Sequence, residues 1–208
     1  MLQFNHHKKH NIMNNDFFST NNYFIDEKVN FLKFENEYKV YNEEGVQIGA
    51  VKQKLTGGQK VTRLFLNKAM LPFRLNIENA QGGIEASISR GWTFFMSKVQ
   101  ILDQNGTPIA LIKQKFKLFK PRFILTDMEQ KQIGEITGDW KAWNFTIKDA
   151  QGNEIGKITK KWAGAAREIF TSADKYNVSI DPAYANAGSK KALIACAITI
   201  DMVLKESK

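Results

Sequence analysis

Seven cations spaced for a shared surface are the residues of this chain best suited to do chemistry. Lys113, Lys115 and Lys117 alternate with Gln114, Phe116 and Leu118, so a β-strand there turns the three ammonium groups to one face and their neighbours to the other. Lys120 and Arg122 extend the series. Lys52 and Lys54 occupy the corresponding places of an earlier segment, and Lys160 and Lys161 lie close to those places in a later one. Stacked around a barrel, these side chains would form one basic stripe. Its chemistry is fixed positive charge offered to phosphate oxygens. Phospholipid head groups would gain about 1 kcal/mol per Lys near the surface, and nucleic acid would be held through strongly salt-dependent phosphate contacts. A formal net charge of +9 favours anionic partners of both kinds. The plain alternative is a solvated outer face that keeps the protein soluble.

Other reactive groups are poorly placed for catalysis. His6, His7 and His10 sit in an Asn-rich polar stretch, an adventitious cluster rather than a metal site. Cys196 is the sole cysteine; it lies within an apolar run where a thiol is inert packing, and it has no partner for an internal disulfide, which fits a reducing compartment. Gly57-Gly58 lacks the spacing of a phosphate-binding loop. A bond-breaking enzyme is not expected. Residues 1–22 hold no continuous apolar stretch of signal-peptide length, so the expected location is the cytoplasm, peripheral to the inner membrane surface.

The elements that must carry the lysines come from a repeat. Segments 38–51, 99–112, 123–136 and 145–158, with a looser copy at 73–88, each show a short alternating apolar strand, an Asn or Asp opening a polar turn, and a second strand. The Asn or Asp can bond its own backbone two residues on, and a Gly, where the turn has one, accepts positive φ. A small residue recurs in the second strand, at Gly49, Ala110, Gly134 and Gly156, as a bend or a close backbone approach in a curved sheet requires. Leu55, Trp92, Phe116, Trp140 and Trp162 follow the copies at a constant offset and are expected on one buried face.

After a short strand at 178–180 the spacing predicts a helix over 190–205, apolar almost all round from Ala192 to Leu204. Thirteen residues rise about 20 Å at 1.5 Å each, short of the roughly 30 Å of a bilayer core. Asp201 would add roughly 2.5–3.5 kcal/mol near the middle of a span. A helix apolar on every side belongs inside a protein core, which places Leu193, Cys196, Ile200 and Asp201 on a core helix wrapped by the hairpins.

The run from 155 to 176, with Trp162, Gly164, Arg167, Glu168, Phe170, Thr171, Ala173 and Asp174 in order, and the run from 190 to 201, ending Ile200-Asp201, resemble the C-terminal half of phospholipid scramblases. The upstream hairpins resemble that family and its LURP-one relatives. The resemblance runs from about Tyr23 to Glu206. It implies a mainly β, tubby-like antiparallel barrel of about twelve strands around a buried C-terminal helix. It also implies movement of phospholipids between bilayer leaflets in response to calcium, without head-group selectivity. The family's acidic calcium loop maps onto 172–181, making Asp174, Asn177 and Asp181 the candidate Ca2+ ligands. Here Ser172 stands at the first acidic position and Lys175 sets a positive charge beside Asp174, whereas Ca2+ takes six to eight oxygens. The family's palmitoylated cysteine cluster and proline-rich N-terminal segment have no counterpart in this sequence, so membrane residence would rest on charge or on a partner.

The expected organisation is an arm over 1–22 and a single barrel domain over 23–208 that engages anionic phospholipid through Lys52, Lys54, Lys113, Lys115, Lys117, Lys120 and Arg122. A soluble scaffold or nucleic-acid-binding module is the alternative, and a small-ligand carrier would need a cavity beside the helix.

Overall fold

Five hairpins are shaped by an Asn or Asp that caps its own turn. Asp103 Oδ1 accepts the backbone N–H groups of Asn105 at 2.8 Å and Thr107 at 2.9 Å. Asp149 does the same for Gln151 and Asn153, both at 2.9 Å, and Asn79 for Gln81 at 3.1 Å and Gly83 at 2.8 Å. Asn42 and Asp127 each accept one such bond, from Val46 at 2.9 Å and Lys131 at 2.8 Å. The residue three places after the cap then lies in the left-handed region: Gly45, Gly82, Gly106 and Gly152 at φ 76° to 88°, and Gln130 at 70°. This is the three-residue hairpin loop that closes on a left-handed residue. Gln130 adopts it without the freedom that glycine has.

These turns belong to a computed structural model, which describes residues 17–28, 37–54, 71–91, 99–117, 120–139, 141–160, 175–184 and 187–205. Its strands are β1 (Asn22–Lys28), β2 (Glu37–Tyr41), β3 (Gln47–Lys54), β4 (Phe73–Asn79), β5 (Ile84–Arg90), β6 (Val99–Asp103), β7 (Pro108–Lys117), β8 (Lys120–Thr126), β9 (Gln132–Asp139), β10 (Asn144–Asp149), β11 (Glu154–Thr159) and β12 (Lys175–Ile180), followed by the helix α1 (Ala187–Lys205). Every strand pairs antiparallel with its neighbours in sequence, and β1 pairs with β12 to close a twelve-stranded barrel. Closure removes both sheet edges. This is the tubby-like architecture expected from the sequence. All five capped turns fall on one rim.

Just past each turn the pairing register shifts by one residue, which leaves Ile48, Glu85, Ile109, Ile133 and Ile155 as bulges on the second strands. A bulge bends its strand, and the next residue is always small: Gly49, Ala86, Ala110, Gly134 or Gly156. At Gly134 the reason is direct. A Cβ there would stand 2.7 Å from Leu193 Cδ2 and 2.7 Å from the Lys148 carbonyl oxygen, so its absence admits both the helix and the neighbouring strand.

The lumen holds α1. Residues 192–203 are buried without interruption, including Leu193, Cys196, Ile200 and Asp201, in agreement with the core helix read from the sequence. Burying one Leu or Ile side chain contributes roughly 1.5–3 kcal/mol, and α1 is enclosed on all sides by inward residues such as Tyr23, Ile77, Ile101, Phe123, Ile136 and Phe145. Two tyrosines fix its height. Tyr176 Oη donates to the Ile198 carbonyl at 2.6 Å, and Tyr38 Oη to Asp201 Oδ2 at 2.7 Å, both buried. The Thr199 hydroxyl returns its hydrogen bond to Ala195 O at 2.7 Å. Among the described residues no helix is long and apolar enough to cross a membrane.

Three boundaries differ from the sequence reading. The helix starts at Ala187 rather than at 190, and the last strand at Lys175 rather than at 178. The expected arm over 1–22 gives way at Phe17, because Phe17 and Phe18 are core residues at 1% and 8% exposure. Their rings meet edge to face at 5.1 Å, Tyr23 Oη donates to Phe17 O, and Lys191 Nζ lies over the Phe18 ring. Leu55, Trp92, Trp140, Trp162 and the Phe116 side chain lie outside the described residues.

Two stability measurements follow from this geometry. Replacing Gln130 by Gly relieves its left-handed backbone and is expected to raise the stability in denaturant titration by about 0.5–1 kcal/mol, after the greater freedom of unfolded glycine is subtracted. Burial pushes the Cys196 thiol up from 9.0 to about 12. The native state therefore keeps a proton that the unfolded chain loses, so this contribution is whole below pH 9 and disappears as pH rises towards 12. Unfolding free energy is expected to fall more steeply in the native chain than in Cys196→Ala across that window, by up to about 1.4 kcal/mol per pH unit; parallel curves would refute it.

Candidate functional site

Alternation on β7 sends Lys113 and Lys115 out of the barrel while Ile112 is buried in its core. The antiparallel register with β8 then sets Lys113 opposite Ile124, Lys115 opposite Arg122, and Lys117 opposite Lys120. Lys113, Lys115, Lys120 and Arg122 are exposed; the Lys117 side chain lies outside the described residues. Like charges opposed across a strand pair destabilise a sheet unless a counter-charge intervenes. Arg122 has one: its Nε donates to Glu135 Oε2 at 2.8 Å, and its Nη2 reaches the same oxygen. Among the described residues Lys113, Lys115 and Lys120 have no carboxylate within ion-pair distance.

The other lysines are engaged elsewhere. Lys52 Nζ bonds Glu78 Oε2 at 2.7 Å, and Lys54 Nζ lies 3.7 Å from the other oxygen of the same carboxylate. Glu78 is buried at 6% exposure between them. Its hydrogen bond raises the Lys52 ammonium above the ordinary lysine value, against an opposing effect of burial. Strand β3 also lies four strands from β7, about 19 Å around the wall at roughly 4.8 Å per strand. The single stripe expected from the sequence is therefore two patches, one of them charge-compensated. Lys160 Nζ sits 4.6 Å from the Trp143 ring centroid, a cation–π contact at another part of the wall, and Lys161 lies outside the described residues.

The two described calcium candidates do not converge. Asp174 lies outside the described residues. Asn177 is buried within β12 and donates its amide to Tyr23 O at 3.2 Å, while Asp181, beyond the strand end, caps a turn by accepting Ala183 N–H at 2.8 Å. Four residue steps, at the rise of a strand, separate the two by about 13 Å, too far for one ion with ligand bonds of about 2.3–2.6 Å. Lys175 pairs with Asp26 of β1 at 3.5 Å. Among the described residues no group of three or more His, Cys, Asp or Glu side chains could hold a metal ion.

A cleft of about 430 Å³ opens on the turn rim between Asp127, Lys131, Asp149, Gln151, Tyr184 and Ser189. Both aspartates already cap turns, and the cleft lies at the start of α1 rather than along it.

Sequence reasoning missed Glu78 and Glu135, the carboxylates that compensate part of the basic surface. Their signal was present, since each stands on a strand next to its cation, but pairing register was needed to see it. Also missed were Tyr38 and Tyr176, whose hydroxyls hold the helix.

Comparison with known proteins bears on what this surface serves. The chain is 26% identical over 119 residues to the human protein "Phospholipid scramblase family member 5", an alignment covering 54% of this chain and 44% of that protein. It is 22% identical over 177 residues to "Altered inheritance rate of mitochondria protein 25" of Saccharomyces cerevisiae, covering 73% of this chain and 54% of that protein. The chain thus spans about half the length of these curated relatives. An X-ray structure of an Arabidopsis thaliana protein matches the fold with a TM-score of 0.54 at 8% identity, over 91% of this chain and 96% of that one. The family model described as Scramblase matches residues 27–207, nearly the whole barrel and its helix, and the chain belongs to the scramblase family.

Proposed function

We propose that this protein engages anionic phospholipid surfaces as a peripheral barrel domain, in the cytoplasm at the inner membrane face, through the outer face of the β7–β8 hairpin. The observation that carries this reading is the exposed set Lys113, Lys115 and Lys120, for which no carboxylate stands within ion-pair distance among the described residues. Such ammonium groups offer fixed positive charge to head-group phosphates without first giving up a carboxylate. Three such lysines near an anionic surface supply about 3 kcal/mol, enough for reversible association. Membership of the scramblase family makes phospholipid the ligand to test first. Arg122, Lys52 and Lys54 contribute less in this reading, because Glu135 and Glu78 already satisfy them.

Lipid exchange between leaflets is the further step of the same reading. The apolar surface of α1 is spent inside the barrel, so exchange by this chain would proceed from the bilayer surface rather than through an inserted α1.

Co-sedimentation with phosphatidylcholine vesicles, with and without phosphatidylserine, tests the reading. Lys113→Ala, Lys115→Ala and Lys120→Ala together are expected to weaken binding to the anionic vesicles by about 3 kcal/mol, over a hundredfold, with Lys52→Ala and Lys54→Ala having a smaller effect. Unchanged binding in the triple variant would remove the β7–β8 face from the reading. A quenchable lipid in the same vesicles, with and without calcium, reads leaflet exchange, and competition by DNA at physiological salt distinguishes a nucleic-acid module.

A further inference from the structure

Among the described residues the two ends of the barrel carry opposite charge. The turn rim comprises five hairpin turns together with the segment that leads from β12 towards α1. Along 41–47, 79–84, 103–108, 127–132, 149–154 and 181–184 the acidic residues are Glu43, Glu44, Asp103, Asp127, Glu129, Asp149, Glu154 and Asp181, against Lys131 there and Lys190 and Lys191 beside Ser189 at the start of α1. That rim bears a formal −5, eight carboxylates against three lysines. Much of the positive charge is near the opposite end. Lys54, Arg74, Lys115, Lys120, Arg122 and Lys141 stand there, against Glu37 and Asp139, in the strand halves farthest from the capped turns or in the connection beyond them.

We infer that the barrel docks on an anionic bilayer end-on and in one sense, with the end opposite the capped turns against the head groups and the turn rim towards water. This rests on the membrane reading above and adds the orientation. Along α1, Ser189 lies at the turn rim and Asp201 near the far end, where it meets Tyr38 at the second position of β2. Twelve residue steps along the helix rise about 18 Å, roughly two Debye lengths at physiological salt. In the inferred pose the rim carboxylates are screened from the membrane, whereas in the reverse pose they touch it.

A rival orientation exists, because among the described residues the exposed large apolar side chains Val46, Ile84 and Met128 all lie at the turn rim. Insertion of these tips is opposed by their neighbours. Val46 follows Glu43 and Glu44, and Met128 lies between Asp127 and Glu129, so each tip would carry carboxylates into an anionic head-group layer.

Site-directed labelling decides between the poses. Cys196 is buried, with its thiol pushed up to about 12, so a maleimide dye reports an introduced cysteine in the otherwise native chain. Gln104→Cys and Gln151→Cys mark the turn rim, and Ala142→Cys and Asn144→Cys the other end; all four positions are exposed. On phosphatidylcholine/phosphatidylserine vesicles carrying a head-group quencher, the dyes at 142 and 144 are expected to lose fluorescence and those at 104 and 151 to keep it. Equal quenching at both ends, or stronger quenching at 104 and 151, overturns the orientation while leaving membrane engagement standing. Failure of all four labelled proteins to sediment with the vesicles overturns both.

Discussion

A helix that is apolar on every side has to be taken out of water completely, and this requirement governs the rest of the molecule. An open sheet could cover one stripe of α1, leaving the remainder wet. Twelve strands closed on themselves cover every side of it from 192 to 203. Closure demands curvature, and each hairpin supplies it in the same way, with a bulge followed by a small residue. The wall and its content are therefore matched at specific points: Gly134 is a gap the width of a methyl group, which Leu193 uses. Polar atoms on the helix are admitted only where the wall answers them, as Tyr38 answers Asp201 and Tyr176 answers the Ile198 carbonyl.

Local chemistry was legible in the sequence, and cross-strand chemistry was not. Asp103, Asp149 and their counterparts announce their turns because an Asx side chain acts on its own backbone within four residues, so nothing distant is needed to read it. The apolar helix was readable for the same reason. By contrast, whether Lys52 is free or paired depends on Glu78 of the adjoining strand, and whether Lys113 shares a surface with Lys52 depends on how many strands lie between them. Register and strand count are properties of the closed barrel. Phe17 and Phe18 were read as part of an arm because their setting is polar; they are core because the start of β1 brings them to the barrel rim.

The candidate site shows the same division. Alternation of lysines gave the right face of β7, since alternation is intrinsic to a strand. Compensation by Glu135 and Glu78 then reduced seven cations to a smaller exposed set. The acidic loop inherited from family resemblance fares differently: of its described members, Asn177 serves the backbone of β1 and Asp181 its own turn, so each is accounted for by local structure.

The connectivity of the barrel has a kinetic consequence. Eleven of its twelve strand pairings join strands adjacent in the chain, and the remaining one sets Asn22 against Ser179. Hairpins of this size form in about 1–10 μs, whereas joining β1 to β12 closes a loop over most of the sequence. Loop entropy grows only logarithmically, so that closure costs about 2 kcal/mol more than a single hairpin. The barrel thus has one seam, stitched by Asp26 with Lys175 and by Asn177 with the Tyr23 carbonyl, and on the way to the native state this seam is the contact that no local segment can make alone.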